Sequence, residues 1–225
     1  MTERNKNAIW GLVRLLLFLP GLLFLTAGTL AFWQAWIFLA VVLGSCAATS
    51  LYLMKNDPEL LERRLRAGPG SEKETSQKII QVVAQTAYFG AIVIAALDHR
   101  FAWSDVPSYL VVAGDAVVGA GFLMIFLVFR ENSFASATIE IHTAQRVVST
   151  GPYALVRHPM YLGGLIMFLG VPLALGSWWG FTAVIPIATA LCWRLLDEER
   201  LLVASLPGYR EYRDQVRYRL VPRVW

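Results

Sequence analysis

Apolar residues run along this chain in unbroken stretches rather than in alternation. Six such stretches stand at roughly 9–31, 33–54, 79–97, 107–129, 160–176 and 178–196. A helix needs about 20 consecutive apolar residues to cross the hydrocarbon core of a bilayer, and continuous stretches favour helices over the two-residue period of a barrel strand. The pattern therefore predicts an all-α, polytopic integral-membrane helical bundle with five to six transmembrane helices, six favoured. The last two stretches are short, which makes a tilted or partly re-entrant hairpin the alternative there.

Composition and charge sharpen the picture. Of the 225 residues, 56% are hydrophobic and 16% charged, with a mean hydropathy of +0.52. The net charge is +4, but its placement says more than its size. With the N-terminus inside and six crossings, 19 of the 20 Lys and Arg fall on the inner side, when Arg14 is counted with the tail it adjoins; Arg100 is left outside. Inner loops are enriched in Lys and Arg, so the expected topology is N-in, C-in. The basic excess reads as membrane orientation, not nucleic-acid binding. The first stretch lacks a small-residue cleavage site behind it and reads as a retained helix. Cys46 and Cys192 lie inside apolar stretches without CxxC spacing, so they read as core residues, with no disulfide and no metal site expected.

Between the stretches the polar residues are unevenly shared. Residues 1–129 form an N-terminal unit of four spans with a basic inner loop at 55–78. There Asp57-Pro58 predicts a short helix start, able to lay Leu60, Leu61 and Leu65 on the bilayer surface with Arg63, Arg64 and Arg66 near lipid phosphates. A solvated amphipathic loop is the favoured reading and a gate over a membrane-facing site the sharper one. Asp115, inside the fourth stretch, is expected to hydrogen-bond a neighbouring helix. Gly119-Ala120-Gly121 lacks the strand and third glycine of a dinucleotide fingerprint and reads as helix packing, so no Rossmann domain is expected.

Residues 130–225 hold nearly all the polar content suited to chemistry: an inner loop, a helical hairpin at 160–196 and a polar tail. Arg194 and Glu198 stand four apart at the inner end of the last stretch, where side chains on one helix face meet. A hairpin returns them to the level of His158. Pro159 starts the next helix, whose first backbone N–H groups and dipole favour an anionic ligand group. Arg157 either reinforces that site or snorkels to phosphates, and Tyr153 and Tyr161 add aromatic walls and hydroxyls. The constellation reads as a ligand site at one membrane face.

Gly151-Pro152-Tyr153, then Arg157-His158-Pro159-Met160-Tyr161, then Glu198-Glu199 and the Gly208-Tyr209-x-x-Tyr212 tail resemble the isoprenylcysteine carboxyl methyltransferase and phospholipid methyltransferase family of membrane enzymes. The resemblance covers about 130–225. It implies S-adenosyl-L-methionine as methyl donor, held without a Rossmann fold, with cofactor contacts at Gln145, Arg146, Val147, Val148, Tyr153, His158, Pro159, Met160, Tyr161 and Glu198, and at Glu140. Arg194 and Glu198 are the implied catalytic pair, Arg194 orienting and binding the methyl acceptor. An anionic acceptor fits an arginine, whereas an ammonium would be repelled by it. The favoured activity is therefore carboxyl O-methylation of an isoprenylcysteine-type acceptor entering from the bilayer. Phospholipid amines, small thiols and a non-catalytic membrane protein or transporter are the alternatives. A transporter would place broken spans and polar residues at mid-membrane; here the polar residues gather at one face.

The charge asymmetry generates a test. A cysteine introduced at Ser71 in the first inner loop should resist an impermeant thiol reagent added outside intact cells and react once the membrane is permeabilised. Labelling from outside overturns the N-in, C-in topology.

Overall fold

A computed structural model describes residues 3–65, 68–72, 74–138 and 145–225. Eight α-helices order these residues: α1 (Glu3–Ala27), α2 (Trp33–Asn56), α3 (Pro58–Leu65), α4 (Thr75–Phe101), α5 (Ser108–Glu131), α6 (Pro159–Ala174), α7 (Val184–Ser205) and α8 (Tyr209–Gln215). No strand occurs among the described residues. Five helical stretches have the length and composition to cross a membrane: α1, α2, α4, α5, and Trp179–Ser205, in which a short 3-10 turn leads into α7. The sixth expected span, α6, has 16 residues. At 1.5 Å per residue it reaches roughly 24 Å, short of the ~30 Å hydrocarbon core. Five helical stretches of spanning length, with α6 as a shorter sixth apolar helix, fall within the expected five to six.

What holds α6 in place is its seam with α5. In lipid the hydrophobic effect gives helices no reason to associate, so close backbone approach and dispersion carry the packing. Gly114 and Gly121 on α5 face Gly170 and Gly163 on the antiparallel α6. An added Cβ at Gly121 would lie 2.6 Å from the Gly163 carbonyl oxygen, and one at Gly114 would lie 2.3 Å from the Ala174 nitrogen. Backbone blocks both, so only glycine fits. An added Cβ at Gly119, by contrast, would lie 3.9 Å from Val41 on α2, an ordinary van der Waals contact. The packing expected of Gly119-Ala120-Gly121 thus divides between two neighbours.

The main core lies on the other side of that seam. Leu19 and Leu23 of α1, Phe38 and Val42 of α2, Ile92 and Ala96 of α4, Val118 of α5 and Val171 of α6 are buried together. At one end of the bundle Trp33, Trp36, Phe101, Trp103, Trp178 and Trp179 stand exposed, as side chains with apolar bodies and polar edges do at a bilayer interface. Asp98 is buried there and accepts bonds from the Ser104 N–H and hydroxyl at 2.7 and 2.6 Å and from the Ser177 hydroxyl, tying the α4–α5 and α6–α7 connections together.

Two expectations change. Asp57 caps α3 through its Oδ1, which accepts from the Leu60 N–H at 2.9 Å. That helix, however, buries Leu60 and Leu61 against Ala8, Leu53, Val128 and Phe129 rather than in lipid, with Leu65 left exposed. Arg63 and Arg64 donate to the carbonyls of Ser133 and Ser136 at 2.6 and 3.0 Å, not outward to phosphates. An isolated sequence cannot show that the loop after α5 lies within reach. Arg66 lies outside the described residues. Asp115 is buried, and neither carboxylate oxygen has a hydrogen-bond partner, so the expected bond to a neighbouring helix is absent.

The glycine seam generates a stability test. Gly121→Ala forces backbone apart, and overpacking of this kind costs typically about 1–3 kcal/mol. Thermal unfolding of the detergent-purified protein should show a clear fall in Tm for Gly121→Ala and little change for Gly119→Ala. Equal shifts would mean the seam tolerates a methyl group.

Candidate active site

The site is assembled where three segments distant in sequence converge. Gly151 turns the chain with φ +58°, a conformation favouring glycine, while Thr150 donates from its hydroxyl to Glu131 at the end of α5. A short helical turn over Gly151–Ala154 follows. The next residues pair with the C-terminal tail: the Arg157 N–H donates to the Tyr218 carbonyl at 2.9 Å and the His158 N–H to the Arg219 carbonyl at 3.0 Å. Arg157 is buried, not snorkelling. Its Nη1 donates to the carbonyls of Val216 and Arg217, both at 2.8 Å, and its Nη2 lies 2.7 Å from Glu199. Glu199 in turn accepts from Arg219 Nε at 2.6 Å. One buried carboxylate on α7 thereby fastens both the turn before α6 and the tail.

His158 caps α6 with φ −125° and ψ 63°, followed by Pro159 at the first helical position. Its side chain is 4% exposed, and Nε2 has no partner. Burial holds its pKa below the ordinary 6.5, against the opposing pull of Glu198 and Glu199, so the imidazole is neutral at physiological pH. Tyr153 accepts from Asn132 Nδ2 at 2.8 Å, and its carbonyl accepts from the Tyr212 hydroxyl at 2.8 Å. The Tyr209 hydroxyl is buried without a partner.

These groups wall a cavity of about 430 Å³, within the usual range for small-molecule sites of roughly 300–1,000 Å³. Gln145, Arg146, Val147, Val148, Tyr153, His158, Pro159, Met160, Tyr161, Arg194 and Glu198 all line it, so every described candidate from the sequence converges there. Glu140 lies outside the described residues. Ile80 and Ala84 of α4, Ile125 of α5, Gly164 and Phe168 of α6, and Ala190 and Leu191 of α7 make an apolar wall.

The expected contact between Arg194 and Glu198 is not made. Tyr161 donates its hydroxyl to Glu198. Arg194 pairs with Glu72 at 2.7 Å and donates to Gln77 Oε1 at 3.0 Å and to the Ala137 carbonyl at 2.8 Å. Glu72 is buried and also accepts from Gln81 at 2.8 Å, while Gln77 donates to Asp197 at 2.8 Å. Four-residue spacing allows a pair on one helix face, but a better-placed carboxylate from the loop before α4 wins it. α7 also runs on to Ser205 instead of ending near 196, so Arg194 and Glu198 lie within the helix, not at its mouth. Sequence reading missed Glu72, Gln77, Gln81 and Tyr209. A signal existed in Gln77 and Gln81, polar residues on one face at the start of an apolar helix, but the partners of Gln77 lie over 100 residues away and Gln81 bonds the unsuspected Glu72.

Fold and site define a polytopic helical membrane protein with a polar-lined cavity near one end of its bundle. Residues 109–206 match the phospholipid methyltransferase family, the integral-membrane methyltransferases. The match overlaps the resemblance read from the C-terminal motifs over residues 130–206, reaches back along α5, and leaves the Gly208-Tyr209-x-x-Tyr212 tail outside it. Over 68 residues the chain is 37% identical to the cobalt-zinc-cadmium resistance protein CzcN of Cupriavidus metallidurans, covering 29% of this chain and 31% of that one. Over 91 residues it is 33% identical to the Delta(14)-sterol reductase TM7SF2 of Mus musculus, covering 39% of this chain and 22% of that one. The chain therefore spans less than a third of the length of either relative.

The buried cluster generates a prediction. Glu199→Gln leaves Arg157 without its counter-charge, and breaking a buried pair from one side costs about 3–5 kcal/mol. The variant should lose thermal stability and expose the segment after Gln215 to limited proteolysis. A tail as resistant as the wild type would show that Glu199 does not fasten it.

Proposed function

We propose that the chain is an integral-membrane, S-adenosyl-L-methionine-dependent methyltransferase acting on a lipophilic acceptor. The observation that carries the proposal is the pair of buried, unpartnered polar atoms, His158 Nε2 and Tyr209 Oη, in the wall of a cavity whose opposite side is apolar. Buried polar atoms are rarely left unpaired, and here a ligand is the natural partner. The donor set fits the cofactor: a neutral imidazole and phenols for its polar groups, the stretch 145–148 alongside, and the Glu198 carboxylate to complement a cationic sulfonium. When bound, that sulfonium supplies an activated methyl group. The chain's task is then to hold two ligands in line and keep water out, because positioning dominates such a transfer. Arg64 of α3 and Tyr209 and Tyr212 of α8 border the polar end. The apolar wall of α4, α5, α6 and α7 suits an acceptor that enters from the bilayer, and a relative whose name specifies a sterol substrate is in keeping with a lipid-soluble one.

Carboxyl O-methylation of an isoprenylcysteine-type acceptor is the finer reading, with Arg194 and Glu198 as the catalytic pair. For Arg194 to orient a carboxylate, the acceptor must share or displace Glu72. That ion pair is the specific reason to keep a second reading, methylation of a phospholipid amine or a small thiol, in which Glu198 serves as base. In either case the N-in topology sets the cofactor mouth toward the cytoplasm.

Calorimetric titration of the detergent-purified protein with S-adenosylmethionine and its demethylated product tests the reading. Both should bind. His158→Ala should weaken binding about tenfold or more without lowering Tm, as expected for a lost hydrogen bond of about 1.5–3 kcal/mol. Glu198→Gln should impair cofactor binding and turnover together. Arg194→Lys, which loses the planar fork, should depress turnover with cofactor affinity nearly intact. A wild-type protein that binds neither compound would overturn the proposal.

A further inference from the structure

Of the four arginines that line the cavity, Arg146 is exposed to solvent, and the other three differ in their company. Arg157 and Arg194 both face buried carboxylates, Glu199 and Glu72. Arg64, on the amphipathic α3 helix, also lines the cavity. Its described partners are all neutral: the Ser136 carbonyl at 3.0 Å, the Met160 sulfur at 3.7 Å and the face of Phe129, 5.0 Å from the ring centroid. Among the described residues no carboxylate lies within ion-pair distance of it. Each of those partners is electron-rich, so together they tolerate a cation without discharging it.

Resting on the methyltransferase reading, we propose that Arg64 is the residue that receives a carboxylate inside the cavity, in place of the already neutralised Arg194. A half-buried guanidinium without a counter-ion gains most from an entering anion, and its planar fork matches a carboxylate in two-point contact. Burial accordingly pulls the Arg64 pKa down to about 10, with Tyr161 opposing the shift and nearby Arg194 adding to it. The position is apt. Arg64 touches Met160, which follows the His158-Pro159 start of α6. Leu60 and Leu61 anchor its helix in the core, so the guanidinium is held by a rigid mount rather than a free loop. Two ligands of the proposed reaction bring carboxylates: the amino-acid end of S-adenosylmethionine and a prenylcysteine-type acceptor.

Binding measurements on the full-length, detergent-purified protein separate them. In the first arm, S-adenosylmethionine and decarboxylated S-adenosylmethionine are titrated into wild type, Arg64→Gln, Arg64→Lys and Arg63→Gln. In the second, an N-acetylated S-prenylcysteine and its carboxamide are titrated into the same proteins. If Arg64 holds the cofactor's carboxylate, wild type prefers the intact cofactor about tenfold or more. Arg64→Gln abolishes that preference, Arg64→Lys restores part of it, and the second arm is unmoved. If Arg64 holds the acceptor's carboxylate, the same pattern moves to the second arm. Arg63→Gln, which removes an equal charge from the neighbouring residue that does not line the cavity, should change neither. Absence of a carboxylate preference in the wild type in both arms, or full retention of it in Arg64→Gln, overturns the assignment while leaving cofactor binding as evidence for the methyltransferase. Failure of the wild type to bind either cofactor form removes the underlying reading itself.

Discussion

The buried contact of Glu199 with Arg157 and Arg219 is the interaction on which the rest of the site hangs. It joins three pieces of chain that share no secondary structure: the turn before α6, the middle of α7 and the tail after α8. Taking Arg157 and Glu199 out of water, with Arg219 half-buried beside them, is costly, and such clusters survive only where hydrogen bonds complete them. Here the carbonyls of Val216 and Arg217 supply part of that completion. The result is a covered end to the bundle. Against that cover His158 and Tyr209 are buried, and both would be wet if the tail were free.

A second constraint works at right angles to it. The glycine seam lets α6 lie against α5 at backbone contact distance, which fixes the height of His158 relative to the α5 end and to Asn132 beside Tyr153. A short α6 is a consequence as much as a cause. It need not span the bilayer alone when α5 shields one whole side. With α6 drawn inward, space opens toward α4 and α7, and the cavity forms between them.

The charges around that cavity are partitioned. Glu72 neutralises Arg194, Glu199 neutralises Arg157, and Glu198 is hydrogen-bonded by Tyr161. A site holding a cationic sulfonium near a carboxylate needs such a division, since an unpaired arginine beside the sulfonium would repel it. Arg64 stands apart in having neutral partners, at the edge of the same space. Among the described residues the cavity thus combines paired arginines, Arg64 among neutral partners, and two buried hydrogen-bonding atoms without partners.

Much of this was legible in the sequence because membrane helices answer to local rules. Apolar length sets the spans, Asp57-Pro58 and His158-Pro159 set helix starts, and the run from Gly151 to Tyr161 with Glu198 marked the residues that line the cavity. These signals need no partner to be read. Pairing is different. Arg194 has Glu198 four residues away and Glu72 over a hundred away, and only the fold of the loop before α4 decides for Glu72. Leu60 and Leu61 suit a bilayer surface as well as a protein core; the ends of α1, α2 and α5 supply the core. Asp115 looked able to find a partner, and the packing around it provides none. The sequence by itself determined the helices and the chemistry carried on them, because propensity and hydropathy act over neighbouring residues. Tertiary structure alone decided which charges cancel and which stay open, because that depends on distances between segments that nothing local records.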